Sequence, residues 1–263
     1  MNRRDFLKAS MVGLVSANLP QVLMAQTGDI RINHPKTVED FFGNRLDSIA
    51  QNYRVPKGLV YGIIGKENGK PYPQFPTGIT EKNRWGFMGL GQQNDASVDA
   101  SVKQAKIIQD NRRRRGESFE SILCNLDESQ GLLGESIKGP RFELPNVGET
   151  SSALFQLESM SSYIHHCQAL FGYRHPDLGV IAYNIGPSRA VEVMEPMFLR
   201  AGISKDEINQ ARRGIFSNFR QSVRNIPTLN PSEQYLSQRY STIGVAEPAS
   251  YLSEVKRISR NFS

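Results

Sequence analysis

The feature that most constrains the fold of this chain is the spacing of its apolar residues, which recur every three or four positions over long stretches. The clearest stripe begins after Ser152 and closes at Gly172; its members are Leu154, Leu157, Met160, Ile164, Cys167 and Phe171. Residues at this spacing share one face of an α-helix. No alternating apolar and polar run of strand length appears in the sequence. The sequence therefore predicts an all-α protein.

Capping and breaking residues divide the remainder into further helices. One helix is expected from Thr37 to about Tyr53, and the next from Pro56 to Asn68-Gly69, because proline suits a first helical turn and Asn-Gly suits a helix end. Other predicted helices span 98–115, 118–124, 178–184, 188–199 with a candidate break at Pro196, a segment led by the Ser204–Glu207 capping box, and 249–262. Long loops are expected at 69–85 and 131–148.

The N-terminal residues resemble an export signal. Arg3-Arg4 is followed by Phe6-Leu7-Lys8 and by a mildly apolar run from Ala9 to Ala25. This arrangement resembles a twin-arginine signal, which carries folded proteins across the bacterial inner membrane. We therefore expect a signal peptide at 1–25, a domain at 26–263, and a periplasmic location. The alternatives are an ordinary amphipathic helix and a signal retained as an N-terminal anchor.

Composition narrows the class of partner. Of 263 residues, 38% are hydrophobic and 22% are charged, and no apolar stretch reaches the length of a spanning helix. We therefore expect no stable transmembrane span after signal cleavage. The formal net charge of +6 favours an anionic partner only weakly, and export argues against nucleic acid.

The cysteines and histidines give little sign of a metal site. Two cysteines cannot complete a four-ligand zinc site unaided, and the adjacent His165 and His166 point in different directions on a helix. We expect no metal. An oxidising periplasm would let Cys124 and Cys167 form a disulfide, and we favour that bridge over two unpaired thiols.

A carboxylate at the end of an apolar helix face is the first candidate for chemistry. Val60, Ile63 and Ile64 line one face of the helix that follows Pro56, and Glu67 continues that face in the last turn. Partial desolvation and the negative end of the helix dipole would both raise the pKa of this carboxyl. A carboxyl that keeps its proton near neutral pH can serve as a general acid. Alone, the pattern is far more often that of a solvated surface glutamate.

Three short motifs give Glu67 a context. They are Ile63-Ile64-Gly65-Lys66-Glu67-Asn68, Gly86-Phe87-Met88-Gly89-Leu90-Gly91-Gln92 and Ala182-Tyr183-Asn184-Ile185-Gly186-Pro187. Their succession resembles the transglycosylase domain of soluble lytic transglycosylases, relatives of goose-type lysozyme. In that family a helix ending in Glu-Ser precedes Gly-x-Met-Gly-Leu-x-Gln and then Ala-Tyr-Asn-x-Gly-Pro. Phe41 to Val60 also resembles the family's opening helix, and Glu247 to Leu252 resembles the start of its terminal helix.

The resemblance implies a lysozyme-like helical fold with an additional helical insertion at about 196–245. It implies that Glu67 is the single catalytic acid/base and that no metal or cofactor is used. Substrate contacts are implied for Asn68, Met88, Gln92, Tyr183 and Asn184. The resemblance further implies that Tyr183 hydrogen-bonds the catalytic carboxyl.

The reaction implied is non-hydrolytic cleavage of the β-1,4 bond between N-acetylmuramic acid and N-acetylglucosamine in peptidoglycan glycan strands, with a 1,6-anhydro product. Two alternatives stay open. A goose-type muramidase would use water and would need a second carboxylate, for which Asp95 is a weak candidate. Asn68 stands where the family usually has serine, which leaves open a degenerate domain that binds peptidoglycan. The same departure leaves open a domain that scaffolds an envelope-spanning secretion, pilus or conjugation machine.

Overall fold

The computed structural model describes residues 44–67, 91–126, 150–245 and 249–262, without the side chains of Asp95 and of 150–154. Every regular element within these ranges is helical, so the predicted all-α class is confirmed for the described part of the chain. The helices are α1 (Asn44–Asn52), α2 (Lys57–Glu67), α3 (Asp95–Arg114), α4 (Thr150–Phe171), α5 (Pro176–Ile185), α6 (Pro187–Arg200), α7 (Lys205–Arg212), α8 (Ser217–Val223), α9 (Glu233–Ile243) and α10 (Tyr251–Ser259), with 3-10 turns at Ile122–Asn125 and Arg260–Phe262. The predicted signal peptide and both predicted long loops lie outside the described residues.

The long helix α4 lies at the centre of the core. Its predicted apolar stripe is buried from Leu157 to Phe171. Its other faces are buried as well, because they carry small serines that let neighbouring helices approach closely. Ser162 illustrates this, since its hydroxyl donates to the Ser101 carbonyl oxygen of α3 at 2.6 Å. Helices α1, α3, α5 and α8 all pack against α4.

The predicted break between α1 and α2 is confirmed. Arg54 adopts a left-handed backbone conformation with φ of 54°, and the N–H of Val55 donates to the Ala50 carbonyl at 2.9 Å. This closes α1 in the manner of a helix C-terminal motif that ordinarily uses glycine at the left-handed position. Pro56 then precedes the first residue of α2.

Pro196 does not break α6, contrary to the expected break point. A proline in a helix leaves the carbonyl four residues earlier without its helical donor, which here is that of Glu192. The Glu192 carbonyl instead accepts from Arg239 Nη2 at 3.1 Å, and the Val193 carbonyl accepts from Tyr235 Oη at 3.0 Å. Side chains of α9 thus replace the missing helical hydrogen bond.

The segment 196–245 supplies three further helices. Ser204 caps α7 in a complete capping box with Glu207, as predicted. Helices α8 and α9 were not predicted individually; α7 and α9 pack on α6, and α8 packs on α7 and α4. None of the helices in the described ranges combines the length and the apolar character that a membrane crossing requires.

Candidate active site

Glu67 ends α2, and the packing of α2 against α10 fixes what surrounds it. The two helices run antiparallel, because Gly58 lies against Ser259 while Gly62 lies against Val255. A Cβ on Gly62 would lie 2.6 Å from the Val255 carbonyl oxygen, so glycine is needed for this close approach. The crossing brings the N-terminal end of α10 to the C-terminal end of α2.

Tyr251, the first residue of α10, contacts the candidate catalytic carboxylate. Its hydroxyl donates to Glu67 Oε1 at 2.5 Å, and its side chain is buried. The ammonium of Lys66 forms an ion pair with Glu254 and lies 6.0 Å from the centre of the Tyr251 ring. The Tyr251 hydroxyl therefore fixes the position of one oxygen of the Glu67 carboxylate.

Tyr183 of α5 lies in the same region. Burial raises the pKa of Tyr183 well above its usual value, and the nearby charge of Glu67 raises it further. The Tyr183 ring packs against the Tyr163 ring of α4, with centroids 5.3 Å apart. The ion pair between Lys256 and Asp177, 2.6 Å long, ties α10 to the beginning of α5 and so fixes the two helices that carry Tyr251 and Tyr183.

The Gly91-Gln92 turn is held by Tyr183. The Tyr183 hydroxyl donates to the Gly91 carbonyl oxygen at 2.7 Å. A Cβ on Gly91 would overlap this hydroxyl and would lie 2.7 Å from Met160 Cγ, so a larger residue does not fit. Gln92 follows with a φ of 45°, a left-handed conformation that is costly for a non-glycine residue and is typical of positions held for function.

The residues after Gln92 anchor this turn to the core. Gln93 is buried, and its amide donates to Ser101 Oγ at 3.3 Å. Asn94 caps α3 in a capping box with Ser97. The turn is therefore fixed on one side by Tyr183 and on the other by the first turns of α3.

The third motif ends α5 at Ile185. Asn184 is half-buried on its last turn, and Gly186 has a φ of 85°, which only glycine adopts without strain. Pro187 then opens α6 at the first helical position. The Asn184–Pro187 motif thus shapes the turn between the two helices.

The structure brings together Glu67, Tyr183 and the turn that carries Gln92. It also changes one expected contact: the single hydroxyl proton of Tyr183 goes to Gly91, and Tyr251 supplies the hydrogen bond to Glu67. Sequence reasoning missed Tyr251, although the resemblance at Glu247–Leu252 included this position. Asn68 and Met88 lie outside the described residues, as does the side chain of Asp95.

The predicted disulfide is not formed, because Cys124 and Cys167 are both free thiols. Cys124 lies in the 3-10 turn whose Ile122 N–H donates to Glu158 Oε2 of α4 at 3.1 Å. Cys167 lies nine residues beyond Glu158 on the same helix, a rise of about 13 Å. A disulfide needs Cα atoms within about 7 Å. Burial raises the pKa of both thiols, that of Cys124 to about 11.

Within the described ranges, no three histidine, cysteine, aspartate or glutamate side chains are grouped so as to hold a metal ion. No protein-family model matches this chain, and no curated protein or solved structure is found to be similar to it.

Proposed function

We propose that this chain is an exported peptidoglycan lytic transglycosylase with a lysozyme-like helical domain. The observation that carries the proposal is the position of Glu67 at a helix end, hydrogen-bonded by Tyr251 and close to Tyr183. Tyr183 in turn binds Gly91. Parts of three motifs far apart in the sequence are thereby gathered around one carboxylate, as a single-carboxylate mechanism requires.

In the proposed reaction, protonated Glu67 donates its proton to the oxygen of the scissile β-1,4 bond as an oxocarbenium-like state develops. The acetamido group of the substrate stabilises the developing charge, so a second carboxylate is not obligatory. Glu67, now ionised, then takes the proton of the C6 hydroxyl, and the oxygen attacks C1. The product is a 1,6-anhydro sugar, and no water is consumed.

The surrounding residues position this chemistry. The hydrogen bond from Tyr251 restricts rotation of the Glu67 carboxyl, which favours a productive orientation. Tyr183 acts through Gly91 and holds the strained turn in which Gln92 would contact the glycan strand. Asn68 can still form hydrogen bonds where the family has serine, so we expect altered rather than absent activity.

The test compares the protein with its Glu67→Gln variant on purified peptidoglycan sacculi, with released muropeptides identified by mass spectrometry. We expect anhydro-muropeptides from the unmodified protein and a loss of at least about a hundredfold in the variant, because glutamine cannot transfer the proton. The matched control is Glu120→Gln, which makes the same change at an exposed glutamate and should leave the rate unchanged.

The products separate the remaining possibilities. Reducing-end muropeptides would replace the proposal with a goose-type muramidase that uses water. Sacculi that are bound without any release would indicate a wall-binding or scaffold domain of an envelope machine. Equal lysis by the Glu67→Gln variant would contradict the assignment of Glu67. Export is tested separately, by following periplasmic accumulation when Arg3 and Arg4 are replaced by lysine.

A further inference from the structure

A second group of polar side chains lies around Tyr173, at the turn between α4 and α5. Tyr173 is 55% exposed, and its hydroxyl lies 3.0 Å from His165 Nε2. Burial raises the pKa of Tyr173, and the positive charges of Arg54, Arg224 and Arg220 oppose that rise. The charges of three guanidinium groups, from α8, its C-terminal cap and the turn after α1, therefore act on one tyrosine. We call Arg54, His165, Tyr173, Arg220 and Arg224 the Tyr173 cluster.

Within the part of the chain that the structure describes, Arg220 and Arg224 have no acidic partner. They are one helical turn apart, so their side chains share a face of α8 and its C-terminal cap. Arg224 also lies beside the turn, since its Cγ would be 3.4 Å from a Cβ on Gly172. Within the described ranges, neither guanidinium forms an ion pair or a hydrogen bond. Burial and the charge of Arg224 both lower the pKa of Arg220, so the pair is held together against mutual repulsion.

Arg54 occupies a position where the backbone favours glycine. Its φ of 54° places it in the left-handed region, which costs an arginine on the order of 1 kcal/mol. Its ion-pair partner Glu117 is 3.9 Å away and also lies 2.8 Å from Arg115, so little of the Arg54 charge is compensated. The Arg54 charge, like those of Arg220 and Arg224, acts on Tyr173.

His165 of the cluster and its neighbour His166 contribute no positive charge near neutral pH. Burial is the main cause that lowers the pKa of His165 to about 4, and nearby arginines lower it further. Burial and the charge of Arg220 likewise lower the pKa of His166 to about 4. The positive charge at this surface therefore comes from Arg54, Arg220 and Arg224.

We propose that the Tyr173 cluster is a binding site for an oxyanion, a phosphate or a carboxylate group. Guanidinium groups bind both through paired charge-assisted hydrogen bonds, and three of them match a divalent anion better than a monovalent one. Bound anion would offset the repulsion between Arg220 and Arg224 and the incomplete pairing of Arg54. The proposal is independent of the peptidoglycan reaction, because no residue of the cluster belongs to the candidate active site.

The test measures binding of inorganic phosphate, and separately of the dicarboxylate glutarate, to the full chain by isothermal titration calorimetry at constant ionic strength. We expect saturable binding, and the tighter of the two probes identifies the phosphate or the carboxylate source. The double variant Arg220→Gln/Arg224→Gln should weaken binding at least about tenfold, since each lost charged hydrogen bond contributes to affinity. The control Arg113→Gln/Arg114→Gln removes the same charge from the exposed end of α3 and should weaken binding less than about threefold.

Arg54→Gly gives a second, independent readout. Glycine relieves the left-handed backbone, so the variant should unfold at a higher denaturant concentration while binding phosphate several-fold more weakly. Absence of saturable binding of both probes to the unmodified chain would overturn the proposal. Equal weakening by the α3 control would also overturn it, because the effect would then be general electrostatics. Release of anhydro-muropeptides reports separately on the peptidoglycan activity, so the two proposals can fail independently.

Discussion

The carboxylate of Glu67 is restrained by one hydroxyl group from a distant part of the chain. Tyr251 is buried, and its hydroxyl lies 2.5 Å from Glu67 Oε1 as a hydrogen-bond donor. A glutamate side chain at a helix end otherwise samples several rotamers, most of which aim the carboxyl away from a bound substrate. In the proposed reaction, Tyr251 therefore orients the Glu67 carboxyl. Loss of its hydroxyl should lower turnover more than substrate binding.

Tyr251→Phe tests this role because it removes the hydroxyl and keeps the ring. A hydrogen bond to a charged group is worth about 1.5–3 kcal/mol, so we expect kcat for anhydro-muropeptide release to fall by about 10- to 100-fold. KM should change by less than about threefold, since no substrate contact is removed. Initial rates at several concentrations of soluble glycan strands separate the two parameters.

Tyr235→Phe is the control for the loss of a tyrosine hydroxyl. Tyr235 donates to the Val193 carbonyl, away from Glu67, and its loss should leave kcat unchanged. If Tyr251→Phe released muropeptides at the rate of the unmodified protein, the hydroxyl would have no role in orienting Glu67.

Part of the candidate site could be predicted from the sequence. Glu67 and Tyr183 belong to motifs whose residues are adjacent in the chain, and the family resemblance that these motifs carry selected both residues. Tyr251 was missed because its contact with Glu67 depends on how α2 and α10 pack, which no local pattern specifies. The predicted hydrogen-bond partner of Tyr183 was wrong for a related reason. The Gly91 carbonyl oxygen lies close enough to accept the only proton of the Tyr183 hydroxyl.

At the scale of elements, the crossing of α2 and α10 determines whether Glu67 and Tyr251 meet. The crossing depends on two glycines of α2, whose missing side chains leave room for Val255 and Ser259. At Gly58 an added Cβ would lie 2.6 Å from the main-chain oxygen of Ser259, and at Gly62 it would also overlap the hydroxyl of Ser259. A methyl group at either position must push the helices apart.

Gly62→Ala should therefore lower both stability and activity. Forcing a methyl group into a packed crossing costs about 1–3 kcal/mol, offset in part by the better helix propensity of alanine. The displaced α10 should lengthen the hydrogen bond to Glu67, so the rate of muropeptide release should fall even where the protein remains folded. Urea unfolding and initial rates measure the two effects.

Ser259→Ala distinguishes this geometry from a general defect. It removes the hydroxyl that Gly62→Ala would meet, so the double variant should recover part of the lost stability. It should recover nothing in a Gly58→Ala background, where the obstacle is a main-chain oxygen. Equal recovery in both backgrounds would show that the close crossing does not cause the loss.

Helices marked by a regular apolar stripe or a complete capping box were predictable, and α8, which has neither, was not. The stripe before Gly172 and the Ser204–Glu207 capping box each match a helix of the structure, because these local signals outweigh alternatives. Helix α8 has only seven residues, so its formation depends on packing against α4 and α7 rather than on its own pattern. The continuation of α6 through Pro196 could not be predicted from the sequence either. The side-chain hydrogen-bond donors that compensate for the proline come from α9, far away in the chain.

At the scale of the whole molecule, the core contains ionisable side chains whose protonation is coupled to folding. His165 and His166 lie on the central helix α4, and burial lowers the pKa of each to about 4 from an ordinary value of 6.5. The unfolded chain therefore binds protons at both histidines at a higher pH than the folded chain does. Protonation of the histidines therefore favours the unfolded chain. By linkage, the free energy of unfolding falls as pH decreases from about 6.5 toward about 4.

This predicts an acid-sensitive fold that two substitutions should make less sensitive. A pKa difference of this size corresponds to about 3 kcal/mol per histidine, so the free energy of unfolding should drop by several kcal/mol between about pH 7 and about pH 4. In the variant His165→Gln/His166→Gln the drop should be smaller by a comparable amount, even if the variant is less stable at every pH. Urea unfolding at a series of pH values gives both curves.

The difference between the curves of the unmodified protein and the double histidine variant isolates the contribution of the histidines from that of the other titrating groups. Burial raises the pKa of Glu158 on the same helix. Glu158 therefore has the opposite effect on the pH dependence: its contribution to the stability of the fold is lost as pH rises through the pKa of the folded state. The Glu158 contribution is present in the unmodified protein and in the variant, and it cancels in the difference between the curves. Parallel curves between about pH 4 and about pH 6.5 would mean that the buried histidines do not control the acid response of this fold.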